Sequence, residues 1–262
     1  MNPSKLTDIE FWDNYWEKYQ LPLEITKSDK NPYLNEILKT FDHYLPKNPN
    51  LSVLEIGGSP GQYLAYLHRN FGYSVACMDY SPLGCQKTRE NLALLGIKGR
   101  VYEADLFKDN RELPQFDIVY SLGLIEHFTD FDGVIVKHLE YLKPGGLLIL
   151  GAPNFLGINH FFLKRLAPEL LAKHNLNNMN LKNWKHLEST FNLKEIFLGY
   201  VGGFHPSLFH RKELNTLTNS ILFPLTKLLV FVFKTHLKNL RRYNSRFFSG
   251  YLMGFFEKKP IP

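Results

Sequence analysis

Between Leu51 and Asn154 the sequence repeats one pattern: a short apolar run, a turn, then a helical stretch. The runs LSVLEIG, SVACMDYSP, GRVYEADLF and FDIVYSLGLIEHF alternate with QYLAYLHRNFG and QKTRENLALLG, and VIVKHLEYLKPGGLLILGAPN adds a helix, a Pro-Gly-Gly turn and a fifth strand. Strands that alternate with helices at this spacing predict an α/β protein with a parallel, doubly wound, Rossmann-like sheet and helices on both faces. The unusual residues collect at the C-terminal ends of the strands, where open sheets of this kind bind ligands.

Outside that block the pattern is looser. The first forty-five residues read as helical, with Phe11, Trp12, Tyr15 and Trp16 on one face, so residues 1–46 are expected to form an N-terminal helical lid segment. Residues 47–262 then make the core, with a helical insertion at about 155–193 over the strand ends. LKEIFLGYVGG and GYLMGFFEKK read as further strands, and Lys212 to Leu240 as one long or broken helix disturbed by Pro224. From Arg211 onward ten Lys/Arg face two Glu, a local charge of +8, which leaves −2 on the first 210 residues. Two readings stand for that basic end: a solvated face on a core-packing helix, or peripheral contact with an anionic membrane or polyanion. No run reaches the ~18 apolar residues of a spanning helix, and the start has no signal-type apolar core, so a cytoplasmic location is expected. The two cysteines, Cys77 and Cys85, cannot build a metal cluster or a disulfide framework, and no metal is expected.

The turn EIGGSPG after the first strand carries Gly57, Gly58 and Gly61, which let the backbone approach a ligand in front of a helix N-terminus. It does not fit the Gly-x-Gly-x-x-Gly of dinucleotide sites, because Ser59 follows where the second glycine belongs. Glu55 also stands where a pyrophosphate would lie, and like charges there repel. A cofactor that is cationic at this point fits better, and S-adenosyl-L-methionine has an ammonium, a sulfonium and no phosphate. Asp79 ends the second strand, where a carboxylate can accept from ribose hydroxyls, and Tyr80 follows it. Asp105 follows the third strand, where it could accept from an adenine amino group, with Leu106 covering the ring.

These motifs together, LEIGGSPG, MDYSP, EADLF, FDIVYSLGLIEHF and LKPGGLLIL, resemble those of the class I S-adenosylmethionine-dependent methyltransferases, of the small-molecule type similar to the ubiquinone-biosynthesis O-methyltransferases. The resemblance implies a seven-stranded sheet whose last strand runs antiparallel, and a cofactor held by Gly57, Gly61, Asp79, Asp105 and the backbone near Ser121 and Leu122. Trp12, Tyr15 and Trp16 resemble the N-terminal aromatic segments that close over the cofactor in such enzymes; the alternative is an ordinary hydrophobic staple of the first helix onto the core. The family turn has a glycine where this chain has Ser59; if Ser59 must adopt a positive φ, the cost is about 1 kcal/mol.

Methyl transfer from a sulfonium needs mainly alignment of nucleophile, methyl and sulfur. Glu126 and His127 lie just past the fourth strand, and His127, an imidazole near its unperturbed pKa, is the candidate general base. The alternative is that the pair orders the loop or positions substrate. His160 and His174 from the insertion, with Trp16, are candidates to line the acceptor pocket. The expected acceptor is a small, apolar or lipid-like molecule methylated at oxygen. No nucleic-acid partner is favoured, since SLGLIEH stands where base-methylating enzymes carry an Asn/Asp-Pro-Pro-aromatic run and neither cysteine suits attack on cytosine. The alternative function is a non-catalytic S-adenosylmethionine-binding or regulatory protein of the same fold.

Overall fold

The computed structural model describes residues 5–27, 32–108, 112–204 and 243–260, with helical positions at 224, 228, 231 and 232. Most of the expected helix Lys212 to Leu240 therefore lies outside the described residues. Two helices come first, α1 (Ile9–Glu17) and α2 (Pro32–Tyr44). The core then alternates β1 (Ser52–Ile56), α3 (Gln62–Phe71), β2 (Ser74–Asp79), α4 (Pro82–Leu94), β3 (Gly99–Glu103), β4 (Phe116–Leu122), α5 (Phe131–Glu140) and β5 (Leu142–Pro153). After the insertion come β6 (Leu193–Phe204) and β7 (Ser249–Lys258).

The seven strands lie in the order β3-β2-β1-β4-β5-β7-β6. β1 to β5 pair in parallel, and β7 runs antiparallel to both β5 and β6. The chain winds outward from β1 through β2 to β3, then returns to β4 on the other side. The reversal opens a crevice at the C-terminal ends of β1 and β4, where such sheets take ligands.

Alternate residues of one strand serve opposite faces. Leu54 and Ile56 pack toward α5 and the insertion, with Val134, Ile135 and Trp184. Val53 packs toward α2, α3 and α4, with Phe41, Leu64 and Leu92. α2 lies in this second core against β6 and β7, its Phe41 ring 6.4 Å from that of Phe255, whereas α1 stands above the strand ends. The N-terminal helical region is thus two helices with different jobs, separated by a non-helical stretch around residues 20–27.

Pro144-Gly145-Gly146 does not form a separate turn before the fifth strand. Leu142 already pairs with Phe116, and the register shifts before Ile118 pairs with Leu147, so the three residues form a bulge within β5. A Cβ on Gly146 would lie 2.9 Å from the carbonyls of Asp117 and Lys143, which explains the glycine. The insertion forms α6 (Ile158–Leu166), α7 (Pro168–Ala172), two 3-10 turns and α8 (Leu187–Thr190). Among the described residues, no helix is long and apolar enough to cross a membrane.

Candidate functional site

The turn after β1 is shaped by its glycines. Gly57 has φ +70°, and its N–H donates to the Met78 carbonyl at 2.8 Å, joining the ends of β1 and β2. A Cβ on Gly58 would run into the Glu55 side chain, so the missing side chain is what lets Glu55 tuck beneath the turn. Gly61 caps α3 at φ +82°, behind the turn, and a Cβ there would stand 3.0 Å from Thr88 Cγ2. Ser59 is not among the positive-φ residues, so the expected strain does not arise. Its buried hydroxyl donates to the Gly84 carbonyl at 2.9 Å, and its backbone N–H is directed to Asp79. Serine therefore ties the turn to α4.

Three carboxylates occupy three different electrostatic settings. Glu55 is 2% exposed, and its Oε2 has no hydrogen-bond partner. Burial pushes its pKa up to about 8, with the Tyr120 hydroxyl opposing this only in part. Asp79 is raised to about 6 by burial, against backbone N–H groups of Ser81, Ser59 and Tyr80 that favour its charge. For Asp105, burial is outweighed by the Lys5 ammonium and the Phe107 N–H, and the pKa lies below the ordinary carboxylate value.

Two adjoining cavities lie over these groups. The smaller, about 40 Å³, has Asp79, Tyr80, Asp105 and Leu106 on its floor and Lys5, Thr7, Trp12 and Trp16 above. The larger, about 320 Å³, reaches from Glu55, Gly58 and Leu122 to Glu126, His127 and His174. Gly57, Gly123, Trp12, Trp16 and His127 border both. α1 supplies the aromatic wall, its entry fixed by Asp8, which accepts from the Phe11 N–H at 2.8 Å.

Glu126 and His127 sit on a 3-10 turn, Ile125–His127, beneath the insertion. His127 Nδ1 lies 2.9 Å from the Lys173 carbonyl; a carbonyl can only accept, so Nδ1 carries the proton and Nε2 keeps its lone pair. The His174 ring is 4.5 Å away, its Nδ1 at 2.6 Å from the Leu170 carbonyl. Trp12 meets His127 edge-on at 5.0 Å. Burial, and then the neighbouring His174, lower the His127 pKa to about 3, which corrects the expectation of an imidazole near its ordinary value. Burial raises Glu126 to about 8, and its Oε2 is unpartnered. The ligand atoms of Glu126, His127 and His174 lie within 4.8 Å of one another, a grouping that could hold a metal ion where the sequence suggested none.

Two expected residues line neither cavity with their side chains. The Ser121 side chain is buried, its hydroxyl 2.9 Å from His138 Nε2, while Leu122 of the same expected backbone stretch, with Gly123, borders the larger cavity. His160 is half-buried on α6 and borders neither cavity. The structure adds Phe155 and Tyr251 to the larger cavity and Lys5 to the smaller. The first two come from the end of β5 and from β7, which meet only through antiparallel pairing, so no local motif marks them.

The strand order with its antiparallel β7, and the carboxylates around a glycine turn, define the class I methyltransferase architecture. Residues 53–146 match the model of a methyltransferase domain. It is 25% identical over 166 residues to the mitochondrial ubiquinone biosynthesis O-methyltransferase of Schizosaccharomyces pombe, covering 63% of this chain and 56% of that protein. It is 32% identical over 106 residues to a ubiquinone biosynthesis O-methyltransferase of Chelativorans sp., covering 40% of this chain and 41% of the other. The chain thus spans about half the length of the curated relatives it matches. Its fold is similar to that of a putative sarcosine dimethylglycine methyltransferase from Galdieria sulphuraria, with TM-score 0.61, 15% identity, and 97% and 98% of the two chains covered. It is also similar to a methyltransferase from Thiobacillus denitrificans solved with S-adenosyl-L-homocysteine, with TM-score 0.56, 15% identity, and 98% and 100% covered.

Proposed function

We propose that the protein transfers a methyl group from S-adenosyl-L-methionine to a hydroxyl of a small, apolar or lipid-like acceptor. The observation that carries this reading is the buried, unpartnered Glu55 oxygen at the larger cavity, one strand from Asp79 at the smaller. A buried carboxyl oxygen left without a hydrogen bond suits a cationic ligand group, beside which the carboxyl would ionise, whereas a phosphate would keep it protonated. The relatives named as O-methyltransferases support oxygen as the acceptor atom.

When bound, the cofactor supplies an electrophilic methyl carbon on a sulfonium. Asp79 would accept from the ribose hydroxyls, Glu55 would hold the ammonium, and Asp105 and Leu106 would serve the base. At neutral pH Glu55 holds a proton, and a cation beside it favours the carboxylate, so cofactor binding releases protons. His127 Nε2, fixed by the Lys173 carbonyl, would accept a hydrogen bond from the acceptor hydroxyl and orient its oxygen for attack. With a pKa of about 3, His127 aligns the nucleophile better than it stores a proton, so the hydroxyl proton, released as the O–C bond forms and the S–C bond breaks, would pass on to solvent. The aromatic wall of α1, with Phe155 and Tyr251, excludes water and receives an apolar acceptor. Where the acceptor is lipid-like, the basic C-terminal region would bring the protein to an anionic membrane surface.

Calorimetry with S-adenosylmethionine and with NAD, followed by transfer of a tritiated methyl group into fractionated cell extract, tests the reading. Binding of the first ligand alone, with label entering an apolar fraction, is the expected result. Binding of NAD in its place would overturn the reading.

A further inference from the structure

The N-terminal segment closes the smaller cavity with a charge. Lys5 Nζ pairs with Asp105 Oδ2 at 2.8 Å and stands 4.3 Å from the centre of the Tyr80 ring. The backbone of Lys5 bridges Phe128 in antiparallel fashion, and the Leu6 N–H donates to the His127 carbonyl at 2.8 Å. About 40 Å³ remains beneath this cover, whereas small-molecule sites start at roughly 300 Å³. A nucleoside enters only if the cover lifts.

α1 itself is anchored on its far side. Asp13 accepts from the Ser81 hydroxyl, and Lys87 Nζ donates to the Tyr19 carbonyl at 2.8 Å. The cover is therefore fixed beyond the start of the helix, and the stretch before Asp8 is held by the Lys5 contacts with Asp105 and Tyr80, two backbone contacts and the bond from Trp12 Nε1 to Thr7 Oγ1 at 3.0 Å. Asp105 Oδ1 accepts from the Phe107 N–H at 3.0 Å, so Oδ2, the oxygen that Lys5 holds, is the one a ligand would contest.

We propose that Lys5 is an internal competitor for the cofactor: its ammonium takes on Asp105 the place of the adenine amino group, and the 5–7 segment must release before the nucleoside enters. Both are N–H donors to the same carboxylate oxygen, and the cavity cannot hold both. The inference rests on the reading of Asp105 as the carboxylate on the adenine side.

The test compares the full chain with its Lys5→Met and Lys5→Arg variants. Binding of S-adenosylmethionine and S-adenosylhomocysteine is followed by stopped-flow tryptophan fluorescence and by calorimetry. Lys5→Met should bind about two- to five-fold tighter, the worth of a partly exposed ion pair, with the gain in the association rate. Added salt should speed association in the parent chain and not in Lys5→Met, since screening weakens the pair; Lys5→Arg should behave as the parent. Trypsin should cut after Lys5 faster once the cofactor is saturating. Weaker binding by Lys5→Met, through faster dissociation, would make Lys5 a clamp on bound cofactor and overturn the proposal, as would unchanged rates. If neither parent nor variant binds while both keep their folded circular dichroism, the cofactor reading fails and the competitor role with it. Binding by Lys5→Met alone would support the competitor role.

Discussion

Replacing Glu55 by Gln should make the protein more stable at neutral pH while weakening its cofactor site. At pH 7 an exposed glutamate, with an ordinary pKa of 4.5, is ionised, whereas the Glu55 carboxyl at about 8 keeps its proton. Folding at that pH must therefore take up a proton that the unfolded chain does not hold. Because the folded pKa is raised, the stability Glu55 contributes is fully present below pH 4.5 and is lost as pH rises toward 8. Each tenfold of that proton equilibrium is ~1.4 kcal/mol, so the loss by pH 7 is on the order of 3 kcal/mol. Glutamine carries no such proton. Its amide introduces a buried donor whose cost, about 1–3 kcal/mol, does not depend on pH. The stability difference between variant and parent, from urea unfolding followed by circular dichroism at several pH values, should thus grow in the variant's favour between pH 4.5 and 8. Groups shared by both proteins largely cancel in that difference. The same variant should bind S-adenosylmethionine roughly 10- to 100-fold more weakly, the loss expected for a hydrogen bond to a charged group. Glu126→Gln is the matched control: its pKa is also about 8, so its stability should follow pH similarly with cofactor affinity kept. A difference between Glu55→Gln and parent that is flat with pH would refute the reasoning, because it would mean Glu55 is ionised in the folded protein.

Asp79→Asn should weaken cofactor binding by roughly tenfold or more, and an unchanged calorimetric affinity would remove Asp79 from the ribose role. Ser59→Gly should cost about 1 kcal/mol of stability by losing the hydroxyl bond to Gly84, with cofactor affinity near that of the parent; a gain in affinity would show that serine impairs the turn. Gly58→Ala should destabilise the fold by about 1–3 kcal/mol, because its Cβ displaces Glu55, which thermal unfolding will report. His127→Ala should lower kcat roughly 10²-fold through lost alignment of the nucleophile. In the parent, kcat between pH 5 and 8 should show no step from His127, which stays neutral down to about pH 3; a fall centred near its ordinary pKa of 6.5 that persists in Asp79→Asn and disappears in His127→Ala would contradict the burial argument.

Much of this molecule was written locally in the chain. The apolar runs of β1, β2, β4 and β5 are strands buried on both faces, and their period and turns announce a parallel sheet without reference to anything distant. The glycine turn and the strand-end positions of Glu55, Asp79 and Asp105 follow directly, because a residue at a strand end is placed by the strand. The aromatic face of α1 was legible as a helix face, and the antiparallel final strand followed from the family resemblance. That this segment covers the strand ends was an expectation of the resemblance, whereas its anchoring by Ser81 and Lys87 was not legible, since both lie far along the chain.

The tertiary structure decided the chemistry of the individual groups. Ser59 looked like a backbone liability and proved to be a tie to α4, because its partner, Gly84, lies on the next helix. The Ser121 side chain meets His138 on α5, a partner that no local pattern marks, since alternate residues of a strand serve opposite sides. His127 looked like a base of ordinary strength until burial and His174 removed its basicity. Lys5 and Asp105 are one hundred residues apart, and no local pattern couples them. Strand, turn and helix are properties of a few adjacent residues, whereas a pKa, a cavity and an ion pair depend on what the rest of the chain brings within a few ångströms.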